Sequence, residues 1–306
     1  GLGRLETRRA NLSRAAEFLE KSLAKIGRSL GNQHPQAALV LSALGYVETL
    51  SGNYAAARQR FERALKIDER VFGPAHPRVA EDLIGLGQLS RRFGSYDDAA
   101  IQLGRALEIV NNKYGKDHIL AADIQGYLAE VTLMLGDPYA AANLYLEALA
   151  IYDKSLGRDD ERFLAAIHNL AHAMAMAKAY ENAVEHYAYA LGMYGKKLGA
   201  AHPWVAQVRC TKGLVQIFAG QHDKGLAECR LGLEQLARAL GDEHYQVAQN
   251  LRCLVVGGLR SGDVDGARQA AARTLAIVTR NADPLLTSTS SQERLDLFQS
   301  RRIYLD

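Results

Sequence analysis

A glycine recurs every 42 residues through most of this 306-residue chain, and this period limits the fold more than any other feature. The spacing never slips. A constant period indicates one structural unit stacked repeatedly, because an insertion inside a stack would break the contacts between neighbouring units. The sequence therefore predicts a solenoid. The glycines that keep the period are Gly31, Gly73, Gly115, Gly157, Gly199 and Gly241.

Each period contains two helical patterns. In the unit that opens at Gly31, Pro35 suits the first turn of a helix, where its missing N–H costs nothing. Gly52 suits the left-handed geometry that ends such a helix, and a second helix is predicted over about 54–72. Two columns of the second helix are predicted to be core. They are Phe61, Leu103, Tyr145, Tyr187, Cys229 and Ala271, and Leu65, Leu107, Leu149, Leu191, Leu233 and Leu275.

The period weakens at both ends of the chain. Extrapolated backwards, it makes residues 1–30 a partial repeat that begins inside a first helix, followed by six repeats from Gly31. It stops at about residue 282, and residues 283–306 are predicted to form a loop and a helix that join a following domain. Ser290 and Glu293 have the spacing of a capping box for that helix.

Composition excludes several classes of partner. The chain has 37 Lys plus Arg against 34 Asp plus Glu, which lacks the basic excess typical of nucleic-acid binders. No apolar run approaches the roughly 20 residues that span a bilayer. The three cysteines lack CxxC spacing, which favours a reducing, cytoplasmic location. We expect neither nucleic acid nor a membrane as a direct partner.

The order Leu-Gly, Gly-x-Tyr, Ala and Ala-Leu within each period resembles the tetratricopeptide repeat. The linker, FGPAHP at 72–77 and LGAAHP at 198–203, resembles the 42-residue form found in kinesin light chains. Asp160 and Lys178 depart from the pattern, at the linker histidine and at the turn glycine. The resemblance covers about residues 1–282. It implies an all-α, right-handed superhelical solenoid of about seven helix pairs plus a C-terminal helix, with first helices lining a concave groove.

The tail SSQERLDLFQSRRIYLD, residues 290–306, is similar to the segment that joins such repeats to a caspase-like peptidase domain in bacterial CHAT proteins. This similarity implies a regulatory array that senses a partner for a cysteine peptidase, with that peptidase contacting residues 284–306. The alternative is a stand-alone adaptor, like the kinesin light chain, that binds cargo peptides in its groove.

Residue patterns that suggest chemistry have simpler explanations. Residues 27–31 spell GxSxG, but they end a predicted helix and do not follow a strand. His168 and His172 share a helix face as zinc ligands do, yet a third ligand is lacking, so a polar groove wall is favoured. We expect no enzyme, metal or cofactor within these residues. A capping or linker role is predicted for the histidines that repeat with the period, His34, His76, His118, His202 and His244.

The remaining candidate site is the groove itself, which should bind a protein or peptide. Arginines on the groove face are not required by the core pattern and would suit a carboxylate or a peptide main chain. The predicted groove residues are Tyr46, Gln88, Arg91, Arg92, Glu130, His168, His172, Gln207, Phe218, Arg252 and Arg260.

Overall fold

The computed structural model describes the backbone of residues 2–287 and the side chains of residues 11–280. The described backbone forms thirteen α-helices without a strand and divides into two compact units at Gly157. The first unit contains α1 (Leu2–Ser29), α2 (Pro35–Leu50), α3 (Tyr54–Phe72), α4 (Pro77–Arg92), α5 (Tyr96–Tyr114), α6 (Ile119–Met134) and α7 (Pro138–Leu156). The second contains α8 (Glu161–Met176), α9 (Tyr180–Leu198), α10 (Pro203–Phe218), α11 (His222–Leu240), α12 (Tyr245–Ser261) and α13 (Val264–Thr287).

The helices of each unit pack as successive antiparallel pairs. In the first unit α1 packs on α2, and the pairs α2–α3, α4–α5 and α6–α7 follow. In the second unit the pairs are α8–α9, α10–α11 and α12–α13. First helices of neighbouring pairs also contact each other, as α4 contacts α2 and α12 contacts α10. The prediction of an all-α array of stacked helix pairs is confirmed.

Left-handed residues end the first helix of each pair. Gly52, Gly94 and the glycines at equivalent positions all have φ between 74° and 92°, a conformation that glycine adopts without steric cost. Lys178 stands at the same position in the α8–α9 pair and has φ 62°, the one non-glycine residue of the described chain with positive φ. The repeat geometry therefore imposes the turn conformation even where the residue is unfavourable.

Histidine caps begin most of the first helices. At His34 the imidazole Nδ1 accepts a hydrogen bond from the backbone N–H two residues later, at 3.2 Å. His76, His118, His202 and His244 do the same. In α8 the Asp160 carboxylate replaces the imidazole, accepting from Arg162 N at 2.9 Å. The predicted capping role of the periodic histidines is confirmed, and it satisfies a backbone donor that the helix leaves free.

The residues of the two predicted core columns are buried or half-buried except at the last pair, and the half-buried ones are Leu65, Leu107 and Leu191. Phe61, Leu103, Tyr145, Tyr187 and Cys229 are all buried. Ala271 and Leu275 are exposed, Leu275 by 67%. The core prediction for these two residues is wrong, because no described helix packs on that face of α13.

Both ends of the array also differ from expectation. Residues 2–29 form one continuous helix rather than parts of a pair, and Ala10 occupies the position that carries the turn glycine in later repeats. At the other end α13 continues to Thr287, so the backbone is helical at Asp283 and Pro284, where we predicted a loop. The helix predicted after residue 291 lies outside the described residues.

Candidate functional site

A recess of about 250 Å³ opens among the first helices of the second unit. Its size is below the roughly 300–1,000 Å³ of pockets for drug-sized ligands, so it suits a single side chain better than a cofactor. Three predicted groove residues from α8, α10 and α12 meet here. The recess is lined by His168, Trp204, Gln207, Val208, Thr211, Gln249, Asn250 and Arg252.

Aromatic rings form one wall of the recess. Trp204 directly follows the proline that starts α10 and remains 39% exposed. Its ring centroid lies 5.3 Å from that of His168, which is itself 5.3 Å from the ring of Tyr187. Tyr194 meets Trp204 edge to face at 6.1 Å. This wall is uncharged and offers a flat apolar surface to a side chain that enters.

The lining of the recess also carries an unbalanced positive charge. Arg252 is exposed and makes neither an ion pair nor a hydrogen bond with any residue that the structure describes. None of the lining residues is acidic, and the other polar groups are amides and a hydroxyl. A guanidinium without a counter-ion is a geometric match for a carboxylate, which it holds through two parallel hydrogen bonds.

The two histidines of α8 are neutral at neutral pH. Burial lowers the pKa of His168 to about 4, with the nearby His172 as a second cause. Its Nδ1 is buried and has no hydrogen-bond partner. The pKa of His172 is also lowered, first by partial desolvation and second by the charge of Arg252. Arg252 is therefore the permanent charge of this surface, and the histidines are groups that acid can charge.

The predicted arginines of the first unit already have partners inside the chain. Arg91 on α4 forms an ion pair with Glu130 on α6, another predicted groove residue. Arg92 Nη1 donates to the Tyr54 hydroxyl at 2.8 Å, and its guanidinium lies 5.5 Å from the Tyr54 ring. We expected these side chains to be available to a ligand. The Glu130 carboxylate neutralises Arg91, whereas Arg92 keeps its charge but is held by Tyr54.

Tyr46 and Gln88 lie on the same face of the first unit. The Tyr46 ring packs edge to face on Phe61 at 4.9 Å, and its hydroxyl donates to the Glu81 carbonyl at 3.4 Å. Gln88 is half-buried on α4. These contacts tie Tyr46 to the neighbouring pair, so a structural role accounts for its position.

Phe218 and Arg260 form a separate cluster near the ends of α10 and α12. The Arg260 guanidinium lies 4.6 Å from the Phe218 ring, which stacks on Tyr180 at 5.8 Å. Neither residue lines the recess. The structure thus brings together His168, Gln207 and Arg252 at the recess, and His172, Phe218 and Arg260 are not among its lining residues.

Sequence reasoning missed Trp204, Val208, Thr211 and Asn250. One signal for Trp204 was available, because it is the only tryptophan of the chain and directly follows a His-Pro linker. The other three residues have no comparable signal in the sequence. Their approach to the recess depends on how α10 and α12 face each other.

The residues that suggested chemistry have structural roles. Ser29 ends α1, and its hydroxyl donates to the Lys25 carbonyl at 3.0 Å. Cys210, Cys229 and Cys253 are buried, and burial raises the pKa of Cys253. Among the described residues, no group of three or more His, Cys, Asp or Glu side chains is arranged to hold a metal ion. No helix there is long and apolar enough to cross a membrane.

Comparison with known proteins accounts for the repeating pairs. A family model described as "Tetratricopeptide repeat" matches residues 1–70, 36–111 and 91–154, and a second model of the same description matches 163–203. The chain belongs to the tetratricopeptide-repeat family. A search of curated proteins finds no match.

Solved structures with the same fold are distant in sequence. The apo form of RapI is 16% identical with a TM-score of 0.67, covering 92% of this chain and 96% of that one. A putative kinesin light chain repeat protein of Podosopora anserina is 20% identical with a TM-score of 0.60, covering 68% and 98%. A Rap protein complexed with competence and sporulation factor is 15% identical with a TM-score of 0.56, covering 92% and 74%. At this identity the likeness establishes the fold alone.

Proposed function

We propose that this tetratricopeptide-repeat protein is a non-catalytic scaffold whose second unit binds a segment of a partner protein. The segment lies on the first helices α8, α10 and α12 and places an acidic side chain beside Arg252. The observation that carries the proposal is an exposed arginine without a counter-ion, in a recess without any acidic lining residue. A Rap protein of this fold was solved with a competence and sporulation factor, which supports a ligand-binding use of such arrays.

The size and polarity of the recess limit what enters it. An acidic side chain can reach the guanidinium while its aliphatic part packs on Trp204 and Val208. The amides of Gln207, Gln249 and Asn250 stand at the same recess and can hydrogen-bond the main chain of the segment. A lysine or arginine would face Arg252 with like charge, so a basic segment is disfavoured.

A peptide selection on the whole chain tests the proposal. Peptides are selected from a random-sequence display library, and the affinities of the recovered peptides are measured for the protein and for Arg252→Gln. We expect the recovered peptides to share an acidic residue. We expect Arg252→Gln to weaken them about tenfold to a hundredfold, since hydrogen bonds to charged groups contribute about 1.5–3 kcal/mol.

A matched control separates this effect from a general loss of positive charge. Arg230 is an exposed arginine on α11, a second helix, and does not line the recess. Arg230→Gln should leave the affinity of the same peptides unchanged. Equal binding to the protein and to Arg252→Gln, or recovered peptides without an acidic residue, would contradict the proposal.

Two more specific proposals differ in the biological role of the scaffold. In one, the array regulates a caspase-like CHAT peptidase that contacts residues 284–306, and its support is the resemblance of residues 290–306 alone. In the other, the chain is a stand-alone adaptor for cargo peptides, supported by the likeness to the kinesin light chain repeats. The gene sequence beyond Asp306 distinguishes them, since it either encodes a His/Cys peptidase domain or does not. A bacterial source remains a prediction from the resemblance to bacterial CHAT proteins, and a cytoplasmic location remains a prediction from cysteine usage.

A further inference from the structure

Arg260, near the end of α12, is a second arginine without a counter-ion. It is exposed and makes neither an ion pair nor a hydrogen bond with any residue that the structure describes. Its guanidinium lies over the Phe218 ring, 4.6 Å from the ring centroid, and Phe218 stacks on Tyr180 at 5.8 Å with an angle of 19° between the ring planes. A guanidinium that rests by its face on an aromatic ring keeps its N–H groups free at its edge, where they can bind a carboxylate.

The carboxylates closest to Arg260 along the chain bond to other groups. Asp263 Oδ1 accepts a hydrogen bond from the Gly266 backbone N–H at 2.9 Å. Asp265 pairs with Arg268 at 3.1 Å. The aromatic stack therefore holds Arg260 in place, and its positive charge is available to a partner.

Arg252 and Arg260 lie along the same interface of α12 with α10. Arg252 lines the recess together with Thr211 of α10, and Arg260 lies over Phe218 of α10. Thr211 and Phe218 are about two helical turns apart, so both project from the same face of α10. From the helical rise of about 1.5 Å per residue, the two arginines are about 12 Å apart along α12.

Apolar side chains separate the two cations. Leu214 lies between Thr211 and Phe218 on α10, and Val256 lies midway between the two arginines on α12. Both belong to one apolar cluster of the second unit, Leu214 as a buried member and Val256 as a half-buried one. This surface therefore has a cation at each end and apolar side chains between them.

We propose that the segment bound by the second unit is extended and carries two acidic residues four positions apart, with an apolar residue midway between them. This inference rests on the proposed function, and it adds Arg260 as a second contact. In an extended segment side chains alternate in direction and each residue advances about 3.3 Å, so residues i, i+2 and i+4 face one way and span about 13 Å. That span matches the separation of Arg252 and Arg260 along α12. The middle residue packs on Leu214 and Val256.

Two amides at the recess favour an extended segment over a helical one. The side chains of Gln207 and Gln249 line the recess and make no hydrogen bond with any residue of the described chain. An extended segment has main-chain N–H and C=O groups that can bond to such amides, whereas a helix pairs these groups internally. A spacing of two residues spans only about 7 Å, which is too short for the two arginines.

Synthetic peptides with blocked termini test the inference on the whole chain. The doubly acidic peptide has the core Glu-Ser-Leu-Ser-Glu between flanks of glycine and serine, and the singly acidic peptide has glutamine in place of the second glutamate. Fluorescence anisotropy measures the affinity of each peptide for the protein. We expect the doubly acidic peptide to bind about fivefold to tenfold more tightly, because the singly acidic one lacks a charged hydrogen bond.

Variants assign this difference to one arginine. Arg260→Gln should weaken the doubly acidic peptide by the same factor and leave the singly acidic peptide unchanged. Arg252→Gln should weaken both peptides. Arg230→Gln, the control on α11, should leave both affinities unchanged.

A third peptide, with the core Glu-Leu-Glu, tests the spacing and should bind as the singly acidic peptide does. Equal affinity of the Glu-Leu-Glu and Glu-Ser-Leu-Ser-Glu peptides, or an unchanged affinity in Arg260→Gln, would overturn the inference. The proposed function stands in that case if Arg252→Gln still weakens binding. Glutamate peptides that bind no more tightly than their all-glutamine forms would contradict the proposed function itself.

Discussion

One region of the repeat carries different kinds of side chain in the two units. Residues separated by three periods of 42 occupy equivalent positions, and four such positions of the first unit match the recess region of the second. The first unit has three charged residues and a serine at these positions, whereas the second has four uncharged residues that line the recess or contact its lining. The matching residues are Ser42 and His168, Asp68 and Tyr194, Arg78 and Trp204, and Asp82 and Val208.

Arg78 holds the charged version together. Its Nε lies 3.2 Å from Asp68 Oδ2, and its Nη2 donates to the Pro35 carbonyl at 2.9 Å. Asp82 accepts a hydrogen bond from Ser42, but its other oxygen is buried without a partner. In the first unit the side chains of this region therefore contact one another. In the second unit they are replaced, and the recess lies beside the residues that replace them. The same backbone supports either a structural core or a site, depending on a few side chains.

The largest expected effect comes from removing Arg78, the cation of this region in the first unit. Arg78→Met should destabilise the first unit by about 3 kcal/mol, because it leaves the buried Asp68 carboxylate without its partner. Urea unfolding followed by circular dichroism, with hydrogen exchange at the α4 amides, measures the loss.

A more exposed ion pair is the matched control. Arg105 pairs with Glu69 in the same unit, and their side chains are 37% and 34% exposed. Arg105→Met should cost less than about 1 kcal/mol. If Arg78→Met lowers the free energy of unfolding no more than Arg105→Met does, the first unit does not depend on Arg78 in the way we describe.

The second prediction is that acid affects the two units in opposite directions. Burial raises the pKa of Asp82 to about 7, so the folded first unit binds a proton more tightly than the unfolded chain, and its stability falls as pH rises towards 7. Burial lowers the pKa of His168 to about 4, so the second unit is most stable above the ordinary histidine range and loses stability as pH falls towards 4. Within each range the free energy of unfolding should change by about 1.4 kcal/mol for each unit of pH.

One variant in each unit isolates these contributions. Asp82→Asn should stabilise the first unit at pH 8 and have little effect near pH 4. His168→Phe should remove part of the acid sensitivity of the second unit while keeping its aromatic contacts. Hydrogen exchange resolves the first unit, and Trp204 fluorescence reports the second. Parallel pH profiles for the two units would contradict the comparison.

The smallest expected effect concerns the turn that the second unit holds with a lysine. Lys178→Gly should stabilise the second unit by about 1 kcal/mol, because glycine adopts its positive φ without the steric cost of a side chain. Thermal unfolding followed by Trp204 fluorescence measures the gain. The reciprocal change Gly94→Lys, at the equivalent turn of the first unit, should destabilise by a similar amount. An unchanged midpoint in both variants would show that the turn conformation is not under strain.

Local signals explain why much of the fold was predictable. The helix predicted over 54–72 is observed as Tyr54–Phe72, since glycine and proline act on the backbone within a few residues. The failures also have local causes. At the start of the chain Ala10 takes the place of a turn glycine, and the helix continues. Leu275 matched the core column by position, but burial also needs a neighbouring helix, and no described helix covers it.

The candidate site was only partly predictable. His168, Gln207 and Arg252 were selected because the period puts them on the exposed side of first helices, and they do meet at the recess. The pairing of Arg91 with Glu130 was not foreseen, because it joins residues of two different repeats. The period says which face a residue occupies. It does not say which side chains on that face reach each other.

The amino-acid sequence by itself determined the all-α repeat architecture, the boundaries of most helices and the capping role of the periodic histidines, because each depends on interactions within a few residues or on a strict period. The tertiary structure alone decided that Arg78 is neutralised while Arg252 is not, and that Trp204 borders an open recess. These outcomes depend on distances between side chains of different helix pairs, which follow from how the pairs pack in three dimensions.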